Sequence, residues 1–313
     1  MPNEATVNKF RPYTPQELDA ITGQLTAEYA RTEARLLRIL AKDNITSWRR
    51  AFSIQQLQQV DNLLNGLTAT GTQWTETHIP ELYKRGQWTV DGYLQPGGLS
   101  KYAHPGEWTP MDLGMTRVHD VAMRNLAENA ALKLGNANSF CAQRIKSMVA
   151  RTQVLGQLPS DRDTRFQISE MQWGIRDASL DAMQQSFASG ETMREAQQRF
   201  LAELNKRGIT SFVDAAGKEW NMETYAQMVA RTVASEAQRH GLQNRMMEIG
   251  EDLVEVVGKS LHVDSCAQYE GKILSITGKT DGYTSVDEAR ANSHLLGPNC
   301  IHSLVPYIAD EDA

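Results

Sequence analysis

Little in this chain is suited to covalent cross-linking, membrane insertion or a standard catalytic cycle. Three cysteines in 313 residues are few and odd in number, which excludes the disulfide framework of small secreted domains. No apolar run approaches the roughly 20 residues of a spanning helix. The opening Met1-Pro2-Asn3-Glu4 lacks the basic-then-apolar order of a secretory signal. The expectation is a protein made and kept in the cytoplasm of the cell that produces it. The chain contains no nucleophile elbow, phosphate loop, dinucleotide fingerprint or His-Glu-x-x-His pattern. It shows no repeat of fixed period either. Aromatics make up only 7% and hydrophobic residues 41%, a balance that fits a globular protein of long helices and excludes a disordered chain.

Charge is unevenly spread. The net charge is −6, and residues 251–313 hold eleven Asp and Glu against four Lys and Arg, so the rest of the chain is nearly neutral. An acidic end argues against a zinc knuckle that grips nucleic-acid phosphates, because such contacts need basic neutralisation. A partner for that end is expected to be protein. The densest basic region, Arg144, Lys146, Arg151, Arg162 and Arg165, reads equally as a weak, non-specific DNA contact and as a solvated face paired with acids such as Asp161 and Asp163.

The first two hundred residues read as antiparallel helices. Thr14-Pro15-Gln16-Glu17 forms a capping box with proline at the first turn. Leu18, Ile21, Leu25, Tyr29, Leu36 and Leu40 then predict a helix to about Asp43. A second stripe through Val60, Leu64 and Leu67 predicts a helix closed at Gly71. A third, with Trp74, Ile79, Leu82 and Tyr83, is expected to stop before Gly86. Residues 87–114 are dense in glycine and proline and read as a long inserted loop. Its aromatics, Trp88, Tyr93, Tyr102 and Trp108, either clamp a partner or pin the loop to the body. Helical spacing returns from Val118 to Leu134, again from Phe140 to Val154 with Cys141 as a buried apolar thiol, and in two stretches between Ile168 and Leu204.

Near Gly208 the period changes. Residues 209–213 and 218–220 read as strands around an Asp214-Ala-Ala-Gly217 turn. Asn221 caps a helix to Ile249 with Met222, Tyr225, Val229, Val233, Ala237 and Met247 on one side, and Gly250 stops it. Residues 253–257 and 261–263 look like strands, and residues 270–294 are strand-like around Ile273–Thr277. The fold class expected is mainly α with a C-terminal α+β domain: an antiparallel helical body over residues 1–208, and a small sheet packed on a long helix over 209–313.

Side chains able to do chemistry concentrate from residue 262 onward. His262, Cys266, Cys300 and His302 offer two sulfurs and two imidazoles, a set that suits tetrahedral zinc. Buried thiols, a Cys266–Cys300 disulfide, or a histidine bonded to backbone are the other readings. A cysteine nucleophile, Cys266 with His294 or His302 as base, is a further alternative. Asp264 and Glu270 lie near these residues and read as solvated surface acids.

The same stretch carries a resemblance. The run His262-x-Asp264-x-Cys266-Ala-x-Tyr269-Glu270-Gly271-Lys272, then Gly297-Pro298-Asn299-Cys300-x-His302-Ser303-Leu-x-Pro306-Tyr307, resembles the closing signature of tailed-phage minor capsid proteins, relatives of MuF-like head-morphogenesis proteins. Residues 220–232, ending in Arg231-Thr232, are similar to that family too, and the likeness covers about the last hundred residues. The chain departs at Gly297, where the family usually has histidine; His294 stands three residues earlier. Arg231 reads either as reaching back to a carboxylate in the sheet or as an ordinary exposed helix residue, with Thr232 on or near the packed side.

The resemblance implies a non-enzymatic virion component near the portal, present in several copies and assembled in the host cytoplasm. It would act in head assembly or along the DNA path, with portal or major capsid protein as partner, no membrane, and either no cofactor or zinc. The alternative is a phage- or prophage-borne enzyme or toxin using the Cys/His site. With only six residues after Tyr307, no separate catalytic domain is expected there, which favours the structural reading.

Overall fold

The structure is a computed structural model, and it describes residues 11–41, 54–94, 116–153, 210–214, 217–259, 265–298 and 300–308. In chain order these form α1 (Pro15–Ala41), α2 (Ile54–Leu94), α3 (Arg117–Gln153), β1 (Phe212–Val213), β2 (Glu219–Trp220), α4 (Met222–Glu248), β3 (Leu253–Val257), β4 (Ile273–Ser275), α5 (Val286–Ala291) and β5 (Ser303–Pro306). The fold is mainly helical, with a small antiparallel sheet near the C-terminus.

The capping box at α1 forms as the sequence requires. The Thr14 amide donates to Glu17 Oε2 at 2.8 Å and the Glu17 amide returns to Thr14 Oγ1 at 3.3 Å. Arg11 adds a fork to both oxygens of Glu17, at 2.8 and 2.9 Å, and holds that carboxyl down to about 2.

Two expected helices merge. Neither Gly71 nor Gly86 ends a helix: α2 runs unbroken for 41 residues, about 60 Å at 1.5 Å per residue. Both glycines are packing positions. A Cβ on Gly71 would meet Leu134 at 3.2 Å. One on Gly86 would strike the Gln238 carbonyl at 1.9 Å, and one on Gly241 the Tyr83 carbonyl at 1.9 Å. The Gly86–Gly241 crossing thus lets the backbones of α2 and α4 touch, which no side chain permits. Pro80 removes one helical bond, but buried Ile79, Leu82 and Tyr83 hold the helix through it. Trp88 and Tyr93 therefore sit on α2, not in a loop, while Tyr102, Trp108 and the rest of residues 95–114 lie outside the described residues. The two stretches around Val118 and Phe140 likewise form the single helix α3, with Val118 64% and Phe140 51% exposed.

The described residues divide into two compact units, each drawing on separated stretches of chain. One takes its residues from 25–71 and 133–226. Its core includes Tyr29, Leu36, Leu64, Leu67, Leu134 and Ile145, with Cys141 fully buried as expected and its thiol pushed up to about 12 by burial. Asn138 donates to Thr68 Oγ1 at 2.9 Å and to the Tyr29 hydroxyl at 3.3 Å. The β1–β2 hairpin pairs Phe212 with Trp220. Its turn is closed by Asp214, which accepts from the Lys218 amide at 2.9 Å and from Trp220 Nε1 at 2.7 Å.

The other unit draws on 1–24, 72–132 and 227–313 and carries the sheet, in the order β4-β3-β5, with every pairing antiparallel. Val254 and Val256 of β3, Leu274 and Leu304 face a core completed by Leu242 and Met246 of α4 and Val90 of α2. At the C-terminal end of α4 the buried methionine is Met246; Met247, expected inside, is 48% exposed. Over some 25 residues a 3.6-residue period drifts off a stripe counted in steps of three and four. Gly250 ends α4 at φ +80°, with the Glu251 amide on the Met246 carbonyl at 2.9 Å. Residues 270–294 are only partly extended. The strand stops at Ser275, and α5 follows from a Ser285 cap whose Oγ accepts from the Glu288 amide at 3.0 Å. The Gly208 boundary and the helices expected between Ile168 and Leu204 fall outside the described residues.

Candidate functional site: a thiol–imidazole cluster on the sheet

β3 is the frame of the site. After it, a 3-10 turn over Ala267–Tyr269 has Cys266 at its N-terminal end and Glu270 at its C-terminal end. Gly271, at φ +70°, lets the chain fold back so that its amide reaches the Val256 carbonyl at 2.9 Å, while the Val256 amide reaches the Lys272 carbonyl at 3.0 Å. These bonds fix the turn on β3. Tyr269 packs partly buried against the sheet core with its ring 5.2 Å from Lys272 Nζ. Ser265 Oγ accepts from the His294 amide at 3.0 Å and so ties the turn to the segment that leads into β5.

That segment makes two successive tight turns. The Gly297 amide reaches the His294 carbonyl and the Cys300 amide the Gly297 carbonyl, both at 3.1 Å, across exposed Pro298. A Cβ at position 297 would lie 3.1 Å from the His294 carbonyl and 3.8 Å from its Nδ1. His294 therefore crowds position 297. β5 then pairs Ser303 with Val257. Gly258, at φ +117°, closes the wall: a Cβ there would come 3.3 Å from His302 Cα, so only glycine suits both the dihedral and the contact.

The result brings together three of the four residues expected to ligate. Ligand atoms of Cys266, Cys300 and His302 all lie within 4.8 Å of one another. His262, with Asp264 and Asn299, is outside the described residues. Cys266 and His302 are 5% and 3% exposed, and Cys300 is half-buried. His302 Nδ1 is 3.3 Å from Cys300 Sγ, and Nε2 is 3.1 Å from Glu270 Oε1. A carboxylate only accepts, so the bond to Glu270 assigns the proton to Nε2 and leaves the Nδ1 lone pair facing the thiols. The acid read as solvated surface is thus the group that orients the imidazole.

Beside Cys300 and His302 opens a cleft also lined by Arg239, Leu296 and Gly297. Arg239 donates to the Leu296 carbonyl at 3.4 Å, beneath a leucine held at φ 56°. Burial, with Arg290 nearby, brings the Arg239 guanidinium down to about 10. Arg239 was not singled out from sequence, since one basic residue in an amphipathic helix carries no mark of burial.

Arg231 forms an ion pair, but with a different element from the sheet the sequence suggested. Its Nε reaches Asp19 of α1 at 2.6 Å, not a carboxylate of the sheet, because that position of α4 faces α1 while the sheet packs under the later turns. Thr232 is half-buried and donates back to the Met228 carbonyl at 2.7 Å.

Sequence reading missed a second polar cluster in the same unit altogether. His119 Nε2 meets Glu248 at 2.7 Å and its Nδ1 meets the Tyr83 hydroxyl at 2.8 Å. Asn244 donates to that hydroxyl, and Arg245 joins Glu248 at 3.4 Å to Asp91 at 3.0 Å. Arg245 and Asp91 side chains are 6% and 5% exposed.

A long-helix protein whose small C-terminal sheet presents a turn-mounted thiol–imidazole cluster is the class that fold and site define. Residues 161–311 match the family model described as phage minor capsid protein 2. That stretch takes in both closing motifs, and the match supports the family they resemble. No curated protein and no solved structure matches the chain significantly. Among the described residues no helix is long and apolar enough to cross a membrane.

Proposed function

We propose that the chain is a structural component of the phage head placed near the portal, in several copies, assembled in the host cytoplasm, where it serves head assembly or the path of the DNA. The family match over residues 161–311 carries this reading. Long, largely polar helices in the body support docking along another protein better than enclosure of a small substrate. Two cations of the basic region are already engaged, Arg144 with Glu219 at 3.1 Å and Lys146 with Asp61 at 2.8 Å. That supports DNA contact that is weak and salt-sensitive.

The test is twofold. Purified phage particles should hold the chain at a fixed copy number, and isolated portal rings should retain it at physiological salt. Retention by major capsid protein alone would move it from the vertex to the shell, and absence from particles would reject a virion role. Short duplex DNA should bind only at low salt; tight, sequence-selective binding would point to a regulator.

One observation favours a second reading. Cys300, His302 and Glu270 stand in the order nucleophile, base and orienting acid. Under that reading Cys300 alone would react rapidly with iodoacetamide, and replacing it would abolish a hydrolytic activity while the fold survived.

A further inference from the structure

We infer that Cys266, Cys300 and His302 form a zinc site, with His302 ligating through Nδ1 and Glu270 positioning its ring from behind. This goes beyond the virion reading and does not depend on where the chain docks.

The argument begins with the number of thiols. A nucleophile needs one thiol at its base, whereas here two sulfurs converge on one imidazole. Two sulfurs and one nitrogen are a donor set that selects zinc over magnesium or calcium, which prefer oxygen. Geometry agrees. With zinc bonds of about 2.3 Å to sulfur and about 2.0–2.1 Å to nitrogen, tetrahedral donors stand roughly 3.5–3.8 Å apart. The three ligand atoms, all within 4.8 Å with Cys300 Sγ and His302 Nδ1 at 3.3 Å, already stand near that spacing.

Glu270 supplies the independent observation. An imidazole 3% exposed, with a carboxylate on Nε2 and its other nitrogen turned to two thiols, is wired as metal-bound histidines are, where the outer carboxylate fixes tautomer and raises basicity. Mounting matters as well. Cys266 and Glu270 leave opposite ends of one 3-10 turn, and Cys300 and His302 flank one residue of the segment entering β5. An ion would therefore clasp the turn to the last strand of a three-stranded sheet. Cys300, the half-buried ligand, lies on the cleft.

The experiment uses the full chain purified under reducing conditions. Elemental analysis should give about one zinc per chain, expected of a single site. Cobalt exchanged into the site should show thiolate charge-transfer bands and tetrahedral d–d absorption. Glu270→Gln keeps every ligand and should weaken zinc affinity roughly 10–100-fold, with the cobalt bands still formed at saturating metal. Cys300→Ser should remove about half the charge-transfer intensity, as expected when one of two thiolates is lost, and Cys141→Ala none. Should the ligand variants fail to fold, metal content and cobalt spectra of wild type and Glu270→Gln still decide. Wild type without stoichiometric zinc and without cobalt bands would overturn the site. So would peptide mapping that finds Cys266 linked to Cys300 in protein kept reduced, or unchanged affinity in Glu270→Gln.

Discussion

His119 and His302 lie in the same unit and each gives Nε2 to a glutamate, Glu248 at 2.7 Å and Glu270 at 3.1 Å. They differ at Nδ1. His119 faces a tyrosine hydroxyl that is itself held by Asn244, and the chain of bonds continues through Arg245 to Asp91. In that network each polar group on the path has a protein partner, so the cluster is closed and its role is to hold α2, α3 and α4 in register. His302 faces two thiols, which are weak hydrogen-bonding groups and strong metal ligands once deprotonated. The same imidazole wiring is a structural brace beside an oxygen donor and, in the proposed zinc site, part of a ligand set beside sulfur.

The largest expected effect that sharpens this contrast comes from breaking the closed network. Asp91→Ala leaves the Arg245 guanidinium buried without its main counter-ion and should cost about 3–5 kcal/mol of unfolding free energy, read by denaturant melting. Zinc content should be untouched. A loss below about 1 kcal/mol, the range of exposed pairs, would show that Arg245 escapes to solvent and that the network is not a brace. Tyr83→Phe is milder. It removes the hydroxyl that donates to His119 Nδ1 and leaves a buried nitrogen unpaired, at about 1–3 kcal/mol. If it instead created a metal-binding imidazole, the contrast between the two histidines would collapse.

What was legible in the sequence follows the range of the interaction. The α1 capping box, the β1–β2 hairpin, the Asn221 cap of α4 and its Gly250 stop are all set within a few residues, and they form as read. The Ser285-x-x-Glu288 start of α5 carries the same cap pattern as Thr14, yet residues 270–294 read as strand-like and the helix was missed. Long-range facts were hidden. Gly86 looked like a helix stop because its reason to be glycine is a carbonyl 152 positions away, Gln238. Asp91 and Arg245 are separated by 154 positions, one in the stretch read as an inserted loop and the other on a helix. Within the site, residue types announced the thiols and His302. Glu270 was passed over because an acid in an acidic segment looks like surface until the fold sets a histidine against it.

The smallest effect lies in acid, where the helical and sheet sides of this unit should respond differently to salt. Glu17, at the start of α1, is held down to about 2 first by its hydrogen bonds to Arg11, with burial opposing and Thr14 assisting. Asp252, before β3, also falls to about 2; burial opposes this, but it is outweighed by Ser275 and Thr280 hydroxyls and the Thr277 amide. Both folded values lie below the ordinary carboxylate range near 4, so the unfolded chain takes up these protons first as pH drops. The stability each carboxylate contributes is therefore fully present above about pH 4 and lost as pH falls toward 2. Their holders differ in kind. Arg11 is a cation on a side chain 31% exposed, so added salt should screen it, whereas hydroxyls and an amide carry no net charge to screen. Melting between about pH 5 and 2, at low and at high salt, should show Glu17→Gln flattening an acid limb that shrinks with salt. Asp252→Asn should flatten one that does not. If both limbs shrink alike, Asp252 is held by charge at a distance instead of by its local hydroxyls, and the loop that precedes β3 owes its order to the field of the module.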